Sequence, residues 1–259
     1  MLLTIDCGNT NIVFALYDGD QQRGVWRIST DHRRTADEYG VWLTQLMDIE
    51  GLRRDLVTGA IIASVVPDVV FALKGLVRRY FNCDPQIVGQ DGVKLTIPVR
   101  LDRPEEVGAD RLVNAVAAHR LYGGPLIVID FGTATTFDVV DSDGGYIGGV
   151  ICPGINLSLE ALYMAASKLP GIAINRPKSV IGKSTVPAMQ AGVYWGYISL
   201  IEGLVRRIRT EMNKPMKVIA TGGLAPLFKE DAGVIDIVDG DLTLRGLAMI
   251  YQANQKTTP

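Results

Sequence analysis

The chain has 259 residues, 47% of them apolar and 21% charged, with a net charge of −2, which excludes a disordered chain and leaves room for one large domain or two ordinary ones. Its basic residues fall in scattered pairs, Arg33-Arg34, Arg53-Arg54, Arg78-Arg79 and Arg206-Arg207, so nucleic acid is not expected as a main partner. Cys7, Cys83 and Cys152 are too widely spaced for a disulfide framework or a zinc site and suit a reducing cytosol; no apolar window approaches the roughly eighteen residues of a membrane span, and the apolar run Met1 to Ile5 is too short for a signal peptide.

In chain order, residues 2–6 and 11–17 read as a hairpin and Val25 to Ile28 as a third strand. Residues 36–49 carry Tyr39, Trp42, Leu43, Leu46 and Met47 at helical spacing. Gly59 to Val66 is a continuous apolar run, the mark of a buried strand. Pro67 opens a helix to about Tyr80, and Ile87-Val88 is a short strand. A helix over 103–122 is entered through Pro104-Glu105-Glu106. Strands follow at 125–130, 135–140 and 146–151, helices at 155–167 and 186–213, a strand at 216–220 ending in Thr221-Gly222-Gly223, a strand at 234–238 and a helix at 242–253. The polar tail Gln255 to Pro259 is expected to fray.

This order contains a repeat. Leu3-Thr4-Ile5-Asp6-Cys7-Gly8-Asn9-Thr10 returns as Ile127-Val128-Ile129-Asp130-Phe131-Gly132-Thr133-Ala134-Thr135, each followed by a second apolar run and a tight turn. The carboxylate at each strand end points beyond the sheet, and the glycine lets the backbone approach a ligand. Successive backbone N–H groups in such a turn form an anion-binding concavity, to which the threonine hydroxyl adds a donor. Two facing turns suit a nucleotide polyphosphate, and the carboxylates then call for Mg²⁺ between them and the phosphates. Strands followed by alternating helix and strand, made twice, resemble the architecture of actin, sugar kinases and Hsp70-type ATPases. The expected fold is α/β: duplicated actin-like (ribonuclease H-like) lobes, mixed sheets flanked by helices, with a nucleotide cleft between them. The lobes are assigned to residues 1–115 and 116–259, and a return of the last helix to the first lobe is left open.

A third segment, Gly108-Ala109-Asp110-Arg111, lies between the two turns. Together with Asp6-Cys7-Gly8-Asn9-Thr10-Asn11 and Asp130 to Thr135 it resembles, in order and spacing, the motifs of the type III pantothenate kinases. Gly148 to Gly154 and Ala220 to Ala225 are similar to that family too. The resemblance implies ATP-dependent phosphorylation of the pantothenate primary hydroxyl to 4′-phosphopantothenate, the first step of coenzyme A synthesis. By the same resemblance Asp6, Cys7, Gly8, Asn9, Thr10, Asn11, Ile12 and Val13 handle the ATP phosphates and Thr133 contacts ATP. Gly108, Ala109, Asp110 and Arg111 contact pantothenate, as does Thr185, and Asp110 is the proposed base. Asp130 holds a monovalent cation, K⁺ or NH₄⁺. A cytoplasmic homodimer, with the pantothenate pocket completed at its interface, is implied as well.

The residue chemistry agrees, since phosphoryl transfer needs positioning and charge neutralisation more than covalent help. A carboxylate such as Asp110 can orient a hydroxyl and accept its proton. Arg111 can meet either the substrate carboxylate or the transferring phosphoryl group with its planar fork. Taken alone, Asp110 and Arg111 would read as a weak surface pair. Cys7, with no histidine near in sequence, reads as a packing residue, His32 as part of an exposed loop and His119 as a helix-end group. The stripe Met189, Val193, Tyr194, Tyr197, Ile198, Ile201, Leu204, Val205 and Ile208 suits a core helix or a dimer face equally. Leu101 stands where many family members carry a tyrosine, which puts that pantothenate contact in doubt. Gly182-Lys183-Ser184-Thr185 is not a Walker A tail, because position 177 is Pro. Two other readings remain: a phosphotransferase on the same fold acting on sugar or acetate, and a non-catalytic nucleotide-binding regulator. The former lacks a reason for Gly108 to Arg111, and the latter for retaining Asp6, Asp110 and Asp130.

Overall fold

The computed structural model describes residues 1–90, 92–165 and 171–255. The chain forms two compact units, one of Met1–Arg120 with Asp241–Pro259, the other of Leu121–Gly240.

In the first unit, β1 (Leu2–Cys7), β2 (Asn11–Asp18) and β3 (Gln21–Ser29) form an antiparallel meander, and β4 (Gly59–Ser64) and β5 (Pro85–Ile87) join β1 in parallel. The sheet order is β3-β2-β1-β4-β5. The apolar run of β4 is buried at five consecutive positions, as expected of a parallel strand covered on both faces. Helix α1 (Ala36–Ile49) starts at a capping box, in which the Thr35 side chain accepts from the Glu38 N–H and the Glu38 carboxylate accepts from the Thr35 N–H. Helix α2 (Pro67–Phe81) has Pro67 in its first turn and ends on Asn82 in the left-handed region, φ 52°. Tyr39, Leu43 and Met47 of α1 and Leu73, Leu76 and Val77 of α2 pack on Leu3, Ile5, Ile12 and Phe14 to make the core.

Helix α3 (Ala109–Tyr122) starts later than the sequence suggests. Pro104–Glu106 is a separate 3₁₀ turn, and Val107 is extended (φ −81°, ψ 132°), which interrupts the expected helix over 103–122. Seven consecutive α3 residues, Leu112 to Ala118, are buried, so a boundary at 115/116 would cut the packed middle of the helix; the units divide at Arg120/Leu121 instead, in its exposed last turn.

The second unit repeats the plan. β6 (Leu126–Phe131), β7 (Ala134–Val140) and β8 (Tyr146–Pro153) are antiparallel, and β9 (Lys217–Thr221) and β10 (Ile237–Val238) run parallel to β6, in the order β10-β9-β6-β7-β8. The register irregularity recurs as well: it falls between Leu16 and Tyr17 where β2 meets β3, and between Val139 and Val140 where β7 meets β8. Helix α4 (Ile155–Ala165) covers the described part of the helix expected over 155–167; residues 166–167 lie outside the described residues, as do 256–259 of the tail. Helix α5 (Thr185–Met212) buries Tyr194, Tyr197, Ile198, Ile201, Val205 and Ile208 against Ile127, Ile129, Phe131 and Phe137, so these positions of the apolar stripe are core. A short helix, α6 (Ala225–Lys229), follows Gly222-Gly223 where no element is expected from the sequence, and the expected strand 234–238 shrinks to β10.

The closing helix α7 (Leu242–Gln255) belongs to the first unit. Its Leu244 and Ala248 pack on Ala15 and Tyr17. Gly246 lets α7 press on α3, since a Cβ there would lie 2.5 Å from the Val113 carbonyl. Among the described residues no helix is long and apolar enough to cross a membrane.

Candidate active site

The first Asp–Gly turn joins β1 to β2. Asp6 pairs with Val13 and with Ala63, and Cys7 with Ile12 and Ser64. Alternation along a strand sends these two pairs to opposite faces. Cys7 and Ile12 are 1% and 0% exposed and lie in the core. Burial, with the Asp6 charge adding to it and the Ser64 hydrogen bond opposing, pushes the Cys7 thiol above its usual range. Cys7 is therefore a packing side chain, and only its backbone is available to a ligand at the turn; the same holds for Ile12. Asn9, Thr10 and Asn11 are exposed. The Gly8 N–H closes the turn on the Asn11 carbonyl at 3.0 Å. Thr30, just after β3, braces it: its N–H donates to the Thr10 carbonyl at 2.9 Å and its hydroxyl to the Gly8 carbonyl at 2.6 Å.

The Gly108–Arg111 segment comes to the same end of this sheet. The Val65 N–H donates to the Cys7 carbonyl at 3.1 Å. A Cβ on Gly108 would lie 3.3 Å from Val65 Cγ1 and only 2.6 Å from Asp110 Oδ1. Glycine at 108 thus lets the chain turn into α3 with the Asp110 carboxylate folded back over it. The Gly108 carbonyl accepts from the Arg111 N–H at 3.2 Å, and Asp110 Oδ1 accepts from the same N–H at 2.8 Å. A carboxylate in the first helical turn is favoured by the backbone dipoles. Burial nevertheless dominates and pushes the Asp110 carboxyl above the ordinary carboxylate range, opposed by the Arg111 N–H and guanidinium.

The second turn is tighter. Asp130 pairs with Thr136 and Thr221, Phe131 with Thr135, and the Gly132 N–H donates to the Ala134 carbonyl at 3.0 Å. Two glycines from elsewhere lean on it. Gly154 donates its N–H to the Thr133 carbonyl at 3.0 Å, and a Cβ there would lie 2.3 Å from that same oxygen and 2.6 Å from the Gly132 carbonyl. Gly222 has φ +89°, and a Cβ on it would meet the Phe131 carbonyl at 2.6 Å and Asp130 Oδ1 at 2.8 Å. Both its conformation and its space therefore demand glycine. Thr133 is exposed on this turn.

Thr185 stands apart from that turn in the chain, exposed at the start of α5. Gly182 folds under the helix start, where a Cβ would lie 2.2 Å from the Ala188 backbone nitrogen. Among the described residues no three His, Cys, Asp or Glu side chains form a ready-made metal cluster. His32 is exposed, 3.6 Å from the Asp68 carboxylate, and His119 is half-buried near the end of α3. Leu101 is half-buried in the irregular stretch before the 3₁₀ turn.

Sequence reasoning grouped Asp6 with Val13 and Asp130 with Thr133, and each group does share one turn. It missed the brace Thr30, which belongs to no motif, and it had no means to see that Gly154 and Gly222 press on the second turn. The glycine-bearing stretches 148–154 and 220–225 were the only signal.

A sheet of one topology made twice, with an Asp–Gly turn after each central strand, places the chain in the class of proteins with the duplicated actin-like fold. Solved structures with this fold include an activator of 2-hydroxyisocaproyl-CoA dehydratase from Clostridium difficile with bound ADPNP (TM-score 0.56, 13% identity, 100% of this chain and 98% of that one). A candidate Baf family transcriptional activator from Campylobacter jejuni shares it too (TM-score 0.61, 18% identity, 98% and 99%). The family model of type III pantothenate kinase matches residues 2–207. The type III pantothenate kinase of Paramagnetospirillum magneticum is 69% identical over 254 residues, 98% of each chain, and that of Rhodospirillum rubrum 63% over 255 residues, 98% of this chain and 99% of that one. The chain belongs to the type III pantothenate kinase family and is a kinase.

Proposed function

We propose that this chain phosphorylates pantothenate with ATP, giving 4′-phosphopantothenate and ADP at the entry to coenzyme A synthesis. One observation carries the reading: in a member of this family, Val65 links the first Asp–Gly turn to Gly108, and Gly108 to the Asp110 carboxylate. In this reading the turn from Asp6 to Val13 takes the ATP phosphates through its backbone N–H groups and the Thr10 hydroxyl, and Thr133 makes a second contact to ATP. Gly108, Ala109, Asp110, Arg111 and Thr185 take pantothenate.

Asp110 orients the primary hydroxyl and accepts its proton as the new bond from that oxygen to the γ-phosphorus forms. The bond from the γ-phosphorus to the bridging oxygen breaks, and ADP leaves with that oxygen. A raised pKa suits Asp110 to this, because a carboxylate titrating nearer the working pH is a better proton acceptor. Arg111 steadies the substrate carboxylate or the moving phosphoryl group. Asp6 and Asp130 are the residues that would face Mg²⁺ and a monovalent cation, K⁺ or NH₄⁺; when bound, these supply charge neutralisation at the phosphates. The enzyme works as a cytoplasmic homodimer whose pantothenate pocket is completed by the second copy.

The test is ADP release by purified protein with ATP, Mg²⁺ and K⁺, with and without pantothenate, and with Na⁺ in place of K⁺. The expected result is ADP release that requires pantothenate, a product of the mass of phosphopantothenate, and a lower rate in Na⁺. ATP binding without pantothenate-dependent turnover would instead describe a regulator.

A further inference from the structure

The core of the second unit holds a hydroxyl chain that the reaction as described does not use. Tyr197, on α5, is 6% exposed. Its hydroxyl donates to the Pro153 carbonyl at 3.1 Å and lies within hydrogen-bond distance of Thr135 Oγ1. A phenol has one proton, so with that proton on Pro153 it is Thr135 that donates to the tyrosine oxygen. Burial pushes the Tyr197 phenol above its usual range, which keeps it protonated and able to donate. Its ring packs against Phe131 (centroids 6.5 Å) and Phe228 (5.5 Å), and these two rings stack on each other at 5.3 Å.

These contacts surround one feature. Phe131 precedes the Gly132-Thr133-Ala134 turn and Thr135 follows it. Pro153 precedes Gly154, whose N–H holds the Thr133 carbonyl and whose missing Cβ brings it against the turn. Tyr197 therefore grips the turn at its entry, at its exit and through the backbone brace from Gly154. The first unit braces its turn differently: Thr135 has its register counterpart in Ile12, an apolar core residue, and there the side-chain brace is the Thr30 hydroxyl, while Arg34 donates to the Ser29 carbonyl that precedes it.

We infer that Tyr197 is a positioning residue that fixes the second Asp–Gly turn for ATP from behind, through Thr135 and the Pro153–Gly154 backbone. The inference rests on the reading that this turn contacts ATP. It also makes α5 the common support of two parts of the reaction, since the same helix begins at Thr185.

The test compares Tyr197→Phe, Thr135→Val and Thr133→Ala by steady-state kinetics and thermal melting. Tyr197→Phe keeps the ring packing and removes only the hydroxyl. It is expected to raise the KM for ATP about five- to tenfold, the scale of one or two lost hydrogen bonds, while kcat and the KM for pantothenate stay within about twofold. Thr135→Val is expected to raise the same KM in the same direction, and the double variant to add less than the two single effects multiplied, because both act through one bond. A lower melting temperature in Tyr197→Phe with all three kinetic constants unchanged would make the residue structural only and overturn the inference. A raised KM for ATP in Thr133→Ala with none in Tyr197→Phe also overturns it, while leaving the turn's role in ATP binding intact. A raised KM in Tyr197→Phe with none in Thr133→Ala supports it, with the turn acting through its backbone. No change in either variant removes the turn from ATP binding, and the inference falls with that reading.

Discussion

The two Asp–Gly turns occupy the same place in twin sheets, yet they are held differently. In the first, Cys7 pairs with Ile12; in the second, Phe131 pairs with Thr135, so the second loop is one residue shorter. The residue that follows the third strand donates its N–H to the turn in both cases, Thr30 to Thr10 and Gly154 to Thr133. The longer loop leaves room for the Thr30 side chain, which adds a second bond to Gly8. The shorter loop lies so close that any side chain at 154 would strike backbone oxygen. Its polar support comes instead from α5, through Tyr197. One duplicated topology has thus reached two solutions, a brace from the Thr30 side chain at the longer loop and one borne by α5 at the shorter loop, which leaves no room for a side chain at 154. The asymmetry extends to the helices that follow the sheets. Helix α3 carries Asp110 in its first turn, whereas α7, which follows β10 as α3 follows β5, has no acidic residue there.

That last difference gives the largest expected effect. Asp110→Asn should lower kcat by about 10²- to 10⁴-fold, the range for a general base, with ATP binding retained. A raised pKa keeps Asp110 protonated to higher pH than a free carboxyl. The acid limb of kcat/KM against pH should therefore lie above the ordinary aspartate value of about 3.9, and it should vanish in the variant. The effect on stability has the opposite sense. As pH climbs, the unfolded chain releases this proton before the folded one does, so stability falls from the unfolded pKa upward and levels off above the folded pKa. Asp110→Asn should then melt slightly higher than the parent at neutral pH. A variant that is inactive and also melts lower would point to a structural role; one with near-parental kcat would remove Asp110 from the chemistry.

Next in size is a change that gives the second turn a side chain at its brace position, as the first turn has in Thr30. Gly154→Ala places a methyl group within 3 Å of two backbone oxygens that cannot rotate away. Overpacking of this kind costs about 1–3 kcal/mol, and a displaced turn should raise the KM for ATP by roughly tenfold or more, since small misplacements are costly in a positioned site. Melting and ATP kinetics check both parts. A silent Gly154→Ala would mean that the shorter loop does have room for a side chain at 154.

Much of this was legible in the sequence. Apolar runs ending in Asp-x-Gly announced both central strands, and their recurrence announced the duplication. What escaped depends on contacts distant in the chain. Pro104-Glu105-Glu106 carries the signals of a helix start, but Gly108 packed against Val65 needs an extended Val107, so the helix begins at Ala109. Helix α6 is too short to show a period. Tyr197 was visible as one of an apolar stripe, because periodicity reports which face is buried and not what a hydroxyl on that face touches. Thr30 follows a strand with no motif around it, and only the tertiary fold brings it to Gly8.

Thr30 also supplies the smallest and most discriminating expected effect. Thr30→Val keeps the shape and β-branching, retains the N–H bond to Thr10 and deletes only the hydroxyl bond to Gly8. Such a bond contributes a net stabilisation of about 0.5–1.5 kcal/mol. The turn it holds is expected to take the ATP phosphates, so the KM for ATP should rise about two- to tenfold with little change in the KM for pantothenate. If the two braces are independent solutions to one problem, Thr30→Val and Tyr197→Phe act in different units, and their effects on ATP should multiply when combined. A double variant no worse than either single one would mean that the two turns respond as a single element, and the separation of the braces argued from their geometry would have to be given up.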